Sequence, residues 1–323
     1  VVVVAKQLFG FFQVVVLLRS VYRIPFPTLY IDMLGFFSFA NLDFVSILRT
    51  ECFMETNWHT RVYVMGFVCA CCLMGTAMAF PLFACQKRVQ QTNKSRGVAA
   101  RWFKRVANVL LVLGYFIYAA ANTVFFQTFN CQKIDSASFL RNDLSIDCSN
   151  PAHKSATMVA ALMVLLFSLG LPLCYLVLLL PHRKGFAQQS GRSQVALADV
   201  QILRFFYVDY KPEYFYWEVL ECLRKLLLTG VAVAIIPGSL IQSVVSLGVI
   251  VVYVVAVAQF KPYRTARDNT LALILYSMLA VTLFIGLLLK VQDPSTPPSP
   301  LSHLPLLSSL SLSLSLSLSL PRR

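Results

Sequence analysis

Charged residues are scarce in this sequence. Asp and Glu together number 14 and Lys and Arg 28, so that 13% of the 323 residues are charged, whereas 58% are hydrophobic. A soluble domain needs more polar side chains than this to cover its surface, which excludes an ordinary soluble protein. The mean hydropathy of +0.69 is instead typical of a membrane protein with several spans. We therefore expect the lipid bilayer to be its main partner.

The shortage of acidic residues leaves a net charge of +14. In a soluble protein this excess of bases would suggest binding to nucleic acid. Here the basic residues lie in short segments between apolar runs, which is the distribution that orients membrane proteins. We therefore predict that nucleic acid is not a partner.

Catalytic motifs are also lacking. No glycine-rich phosphate loop follows a strand, and no Ser or Cys has a base at the spacing of a known motif. The only closely spaced cysteines, at 69, 71 and 72, occupy helical positions that point in different directions, and no histidine lies near them. The sequence therefore predicts no enzyme, no catalytic residue, no cofactor and no metal site.

Long apolar runs, by contrast, recur along the chain. Each is long enough for the roughly 20 residues that cross a bilayer as a helix. A further run, residues 1–18, carries three polar side chains but is apolar enough that we predict it also crosses. The sequence thus predicts an all-α, polytopic membrane helix bundle over residues 1–290, with 1–18 as the seventh helix. The six other predicted spans are about 61–85, 105–128, 155–180, 215–236, 239–259 and 268–290.

Two segments do not fit a simple span. Residues 28–48 are long enough to cross, but two prolines precede them and they contain Asp32, Asn41 and Asp43. A re-entrant segment would let these side chains line a cation path. The alternatives are an interfacial helix with a wet face and a full span. Residues 291–323 form a low-complexity Pro and Ser-Leu tail, for which we predict disorder.

The basic loops predict the orientation of the bundle. Residues 86–105 contain seven bases and no acid, so we expect this loop to be cytoplasmic, in the plasma membrane. The order of the helices then puts the loop 129–154 outside. Because Cys131 and Cys148 bracket a polar segment of this loop on the oxidising side, we predict a disulfide between them.

The stretch 214–230, YFYWEVLECLRKLLLTG, has charges where a membrane helix begins. The eleven residues from Leu226 to Ile236, just before Pro237, would rise only about 16 Å, half of the roughly 30 Å of hydrocarbon. The charges must therefore enter the membrane. We predict an intramembrane ion network on a face turned toward other helices, with Glu221 and Lys225 paired at i,i+4. The network comprises Glu218, Glu221, Arg224 and Lys225.

This network has two interpretations. In the first, its charges neutralise one another and only stabilise the packing of the helices. In the second, the network breaks and re-forms between two states and so couples a cytoplasmic loop to helix packing.

Four stretches resemble the C-terminal membrane region of large algal, diatom and oomycete surface proteins with EGF-like or ephrin-receptor-like ectodomains. These are YKPEYFYWEVLECLRKLLLTG, FNCQKIDSASFLRNDLSIDCSNPAH, GLPL at 170–173 and FKPYRTARDN. That membrane region is classed with transient-receptor-potential-like domains. The resemblance covers roughly residues 6–290. It departs from the family in two places, since no ectodomain precedes Val1 and the Ser-Leu tail stands where a further helix would follow.

The resemblance implies a cation channel or a channel-like sensor, with inorganic cations and further copies of the chain as partners. The alternative is a non-conducting receptor or anchor that relays the state of an ectodomain to the cytoplasm. A tetrameric channel needs an extracellular pore loop between its last two helices. Here FKPYRTARD joins the last two helices on the predicted inner side, so we expect no pore of that kind.

Overall fold

A computed structural model describes residues 2–22, 24, 26–37, 57–89, 97–134, 137–180, 204–234 and 238–292. Asn41 and Asp43, the low-complexity tail and the centre of the basic loop 86–105 lie outside the described residues. The predictions made for them are therefore left as predictions.

Helices make up most of the described chain. The longest are α1 (Val2–Tyr22), α3 (Trp58–Val89), α4 (Gly97–Gln127), α10 (Leu240–Phe260) and α11 (Ala266–Gln292). The remaining bounds are α2 (Thr28–Gly35), α5 (Pro151–Met163), a π-turn (Val164–Leu169), α6 (Gly170–Leu179), α7 (Arg204–Tyr207), a 3-10 turn (Pro212–Tyr214), α8 (Trp217–Leu226), a π-turn (Leu227–Val231) and α9 (Ala232–Ala234).

Six helices of the described chain are long and apolar enough to cross a membrane, by length and composition alone. This confirms the predicted all-α polytopic bundle. α1 is one of the six, as predicted for residues 1–18. The predicted span 215–236 is not among them, because α8 carries four charged residues among its ten. The six are Val2–Tyr22, Trp58–Ala77, Arg105–Gln127, Pro151–Leu179, Leu240–Phe260 and Ala266–Gln292.

The core lies in two aromatic-rich clusters. One joins α3, α4, α5 and α6 around the buried side chains of Phe125, Phe167 and Tyr175. The other joins α1, α8, α10 and α11 around Tyr22 and Trp217. α8 and the π-turn after it pack between the two clusters, so the most charged helix occupies the centre of the bundle.

The π-turn Leu227–Val231, which continues α8, packs closely against α4. A Cβ atom added at Gly230 would lie 2.8 Å from Cε2 of Phe126, which is nearer than real Cβ atoms approach. Glycine at this position therefore allows the π-turn Leu227–Val231 to touch α4.

One end of the bundle, here called the sheet end, gathers several helix termini and a small sheet. Gln127 Nε2 donates to the carbonyl of Ser20 over 3.4 Å, and Trp58 Nε1 donates to Thr128 Oγ1 over 3.1 Å. The end of α1, the start of α3 and the end of α4 thus meet here. The chain therefore leaves α1 and enters α3 at the same end of the bundle.

The sheet at this end was predicted only as a loop. Its strands β1 (Cys131–Ile134), β2 (Ala137–Leu140) and β3 (Asp143–Asp147) form an antiparallel meander. Cys131 and Cys148, the pair predicted from the sequence, form a disulfide with Cα atoms 6.4 Å apart. Asn150 then caps α5 by accepting a hydrogen bond from the amide of Ala152 over 3.0 Å.

The opposite end, here called the charged end, holds the starts of α1 and α11. Gln7 Nε2 donates to the carbonyl of Asp268 over 3.2 Å, and Arg264 Nε donates to the carbonyl of Tyr210 over 2.8 Å. Residues 261–265 alone connect α10 to α11. Lys261 ends α10 in the left-handed conformation, with φ of 47°. This turn is far too short to form a pore loop.

Candidate functional site

Seven charged side chains of the described residues other than histidine are buried, and six of them lie together at the charged end. We call these six the charge cluster. It contains three acids and three bases, so its formal charge is zero. Neutrality matters because an unpaired charge in the interior costs several kcal/mol. The members of the charge cluster are Lys6, Asp209, Glu218, Glu221, Arg224 and Lys225.

Lys6 of α1 joins two acids from distant parts of the chain. Its Nζ donates to Glu218 Oε2 in a short contact and lies 3.4 Å from Asp209 Oδ2. It also donates to the carbonyl of Phe205 over 3.0 Å and lies 4.4 Å from the centre of that residue's ring. The hydroxyl of Tyr210 donates to the same Glu218 oxygen over 3.1 Å. Lys6 thus links Asp209 and Glu218, the two acids of one half of the charge cluster.

Glu221 pairs with Arg224, rather than with Lys225 as predicted. Nη2 and Nε of Arg224 donate to Glu221 Oε2 over 2.9 and 3.2 Å. Tyr276 of α11 donates its hydroxyl to the other carboxylate oxygen. The guanidinium also lies 4.7 Å from the centre of the Tyr276 ring. Arg224 thus gives two charge-assisted hydrogen bonds to one carboxylate oxygen and Tyr276 occupies the other, so both oxygens of Glu221 are satisfied.

Lys225 points instead toward α1 and α4. Its Nζ donates to Gln13 Oε1 over 3.3 Å and lies 4.1 Å from the centre of the Tyr115 ring. Gln13 in turn donates to the carbonyl of Phe116. The ammonium of Lys225 is therefore stabilised by the amide oxygen of Gln13 and by the negative face of the Tyr115 ring. The sequence had predicted a carboxylate as its partner.

The predicted orientation of α8 agrees with the structure on its polar face. Glu218, Glu221, Lys225 and Thr229 are all buried, and their stripe faces protein. On the opposite face Leu223 is 45% exposed, as expected for a lipid contact. Leu226, on the same apolar side, is buried because the neighbouring helices surround the end of α8.

A cavity of about 10 Å³ lies within the charge cluster, between α1, α8 and the turn at Tyr263. That volume is about what one water molecule requires. Burial raises the pKa of both Tyr210 and Tyr263 far above the usual value, and the nearby carboxylates raise it further. Both phenols therefore remain protonated. The cavity can hold a water molecule or allow a side chain to exchange partners, but it is too narrow for an ion path.

Sequence reasoning missed Lys6, Gln13 and Asp209 as members or partners of this site. The polar residues of α1 were noted only as exceptions in an apolar run. Lys6 itself was the available signal, because a charged residue within a membrane helix needs a partner of opposite charge on another segment.

Asp32, predicted to lie on a cation path, is not part of the charge cluster. It is exposed on α2, which follows the sheet end of α1. The rings of Phe12 and Phe37 stack with centroids 3.8 Å apart. Residue 37 therefore lies level with the middle of α1, and residues 26–37 run back along that helix.

The family model described as transient receptor potential (TRP) ion channel matches residues 28–292. No curated protein and no solved structure matches the chain significantly. The matched residues include α2 to α11 and exclude α1, although α1 supplies Lys6 and Gln13 to the charge cluster.

Proposed function

The chain belongs to the transient receptor potential ion channel family, and on that premise we propose that this multi-pass membrane protein conducts inorganic cations. The family match over most of the helical bundle carries this proposal. The bundle itself supports it, because six helices of the described chain have the length and composition of membrane spans.

We further propose that the re-entrant segment after α1 forms the path. No pore loop fits between α10 and α11, so a polar segment elsewhere must reach into the membrane. Residues 26–37 turn back along α1 as far as its middle, and α3 starts at the sheet end. An exposed Asp32 and the following Asn41 and Asp43 would supply oxygen atoms to a cation there.

The path is proposed to lie between copies of the chain. The cavity at the charged end is water-sized and the described helices around it are closely packed, so a single copy offers cations no wide passage there. Exposed apolar side chains such as Leu165 and Leu173 on the α5 and α6 face, or Val252 on α10, suit either lipid or a second copy. We therefore propose a homo-oligomer.

The sheet end is proposed to face the outside of the cell. A disulfide persists in oxidising compartments, and Cys131 and Cys148 are joined there. The exposed bases of the 261–267 turn lie at the opposite end, where the positive-inside rule expects them. This orientation agrees with a cytoplasmic loop 86–105 and a location in the plasma membrane.

A non-conducting receptor is the second candidate. It is favoured by the lack of a pore loop at the five-residue turn 261–265. The disulfide-closed sheet would then receive the state of an EGF-like or ephrin-receptor-like ectodomain. At the charged end, the ion pairs of the charge cluster, on α1 and α8, would then break and re-form between two states.

Ion flux into liposomes separates these functions. Purified full-length protein should admit K⁺ or Na⁺, and Asp32→Asn together with Asp43→Asn should reduce the flux about tenfold, equivalent to about 1.4 kcal/mol in the barrier. Glu213→Gln, an exposed change at the charged end, is the matched control and should leave flux unchanged. A folded protein without flux would exclude conduction. Flux that survives the double change would place the path elsewhere.

A further inference from the structure

Two sulfur atoms and an imidazole meet at the sheet end. Sγ of Cys131, Sγ of Cys148 and a ring nitrogen of His153 all lie within 4.8 Å of one another. Thiolate and imidazole are the ligands that Zn²⁺ prefers in proteins. The three come from different elements, namely the start of β1, the residue after β3 and the first turn of α5.

The orientation of His153 fits a metal ligand. Its Nε2 lies 3.7 Å from Cys131 Sγ, and its Nδ1 lies 3.3 Å from Nε2 of His59 on α3. His153 is 3% exposed, so packing holds the ring in place. Ligating histidines commonly bond through the other ring nitrogen to a second residue, which fixes the ring and its tautomer. His59 occupies that second position.

We propose that reduction of the Cys131–Cys148 disulfide opens a Zn²⁺ site made by both thiolates and Nε2 of His153. Two molecules of a small thiol reduce the bond, giving two cysteine thiols and one small-molecule disulfide. Zn²⁺ then displaces the two thiol protons. The oxidised protein cannot bind the metal in this way, because both sulfur atoms are committed to each other.

The distances require little movement. In a tetrahedral zinc site, bond lengths of about 2.3 Å to sulfur and about 2.0 Å to nitrogen place S and N about 3.5 Å apart. The observed 3.7 Å between Cys131 Sγ and His153 Nε2 already matches this spacing. Both sulfurs already lie within 4.8 Å of the ring nitrogen. Once the bond between them is reduced, the two thiolates can move apart to share one ion.

The surroundings suit a cation and leave it accessible. The carboxylate of Asp147 is close enough to His153, and that of Asp143 to His59, for their charges to interact. Cys131 is exposed and can be reached by a small thiol. Three protein ligands leave a fourth position for water. Bound metal would tie β1 and the residue after β3 to the start of α5, and through His59 to α3.

Zinc retention by the full-length protein in detergent tests this site. After treatment with dithiothreitol and anaerobic desalting, the reduced protein should retain one more Zn²⁺ per chain than the oxidised protein. The matched control is the reduced Cys131→Ser, Cys148→Ser protein, which keeps the other seven cysteines and should lose that equivalent. His59→Gln should weaken zinc binding about 10- to 100-fold without abolishing it.

X-ray absorption at the zinc edge identifies the ligands without any substitution. The reduced, zinc-loaded protein should show two sulfur neighbours and at least one imidazole. Retention equal to that of the double serine protein would overturn the proposal. So would a spectrum with sulfur neighbours only, since zinc would then lie among the helix cysteines, or an unchanged affinity in His59→Gln.

Discussion

The two ends of the bundle hold their polar groups by different means. At the sheet end the contacts are local, since the disulfide joins residues 17 positions apart and Asn150 caps the helix that begins beside it. At the charged end they are long-range, since Lys6 and Glu218 are separated by 212 positions. A covalent bond needs no particular surroundings, whereas a buried ion pair is stable only if every charge has a partner.

This difference predicts which single substitutions destabilise the folded protein most. A change in the charge cluster leaves a partner charge buried and should affect the whole bundle. A change at the sheet end should affect the sheet and leave the helices folded.

Glu221→Gln should destabilise the folded protein most, by about 3–5 kcal/mol, because it leaves the buried guanidinium of Arg224 without its carboxylate. Thermal unfolding in detergent and the yield of monodisperse protein measure the loss. Glu213→Gln is the exposed control and should unfold like the unchanged protein. Normal stability in Glu221→Gln together with altered ion flux would instead support the interpretation of the charge cluster as a switch.

Reduction of the disulfide should cost about 3 kcal/mol, but only within the segment that it closes, because the bond limits the unfolded loop rather than the helices. Hydrogen exchange should increase in residues 131–148 and remain unchanged in α4. Zinc-free conditions are needed for this measurement, since a bound metal would restore the cross-link. Equal loss of protection in α4 would show that the two ends are not independent.

Lys6→Met and Glu218→Gln should each destabilise the protein, and the double variant should recover part of the loss. A coupling energy of about 0.5–3 kcal/mol is expected for residues in one buried network. Unfolding of the four proteins of the double-mutant cycle gives this value. The recovery should be incomplete, because Asp209 would then lack the ammonium that lies 3.4 Å from it. Strict additivity would contradict a direct pair.

Titration of Asp143 at the sheet end should have the smallest effect. Hydrogen bonds from Ser145 hold the pKa of the Asp143 carboxyl below its usual value of 3.8. Because the folded pKa is the lower one, this carboxylate stabilises the sheet above pH 3.8, and the contribution is lost as the pH falls through the folded pKa. Hydrogen exchange in β3 against pH measures it. Ser145→Ala should remove most of the dependence.

The sequence was most informative where contacts are local or depend only on composition. Apolar length predicted the bundle, and the periodicity of α8 predicted that Glu218, Glu221 and Lys225 share a buried face. The position of Cys131 and Cys148 at the two ends of a polar loop predicted that they form a disulfide. The small sheet was missed, because three short strands in a polar loop have no periodic apolar pattern to mark them.

The pairing within the charge cluster could not be read from the sequence. Helical spacing offers Glu221 two bases, at i+3 and i+4, and does not say which one bonds it. The choice depends on Tyr276 from α11 and on Gln13 and Tyr115, which receive Lys225 from other helices. Each of these contacts needs the folded bundle.

Composition and apolar length by themselves determined that this chain forms a polytopic helical membrane protein, because hydrocarbon accepts only backbone that satisfies its own hydrogen bonds. Tertiary structure alone decided which charges meet. Lys6 reaches Glu218 only when α1 packs beside α8, and His153 faces the disulfide only when α5 begins beside the sheet. Buried charges and metal ligands depend on distances of a few ångströms, which the packing of distant segments sets.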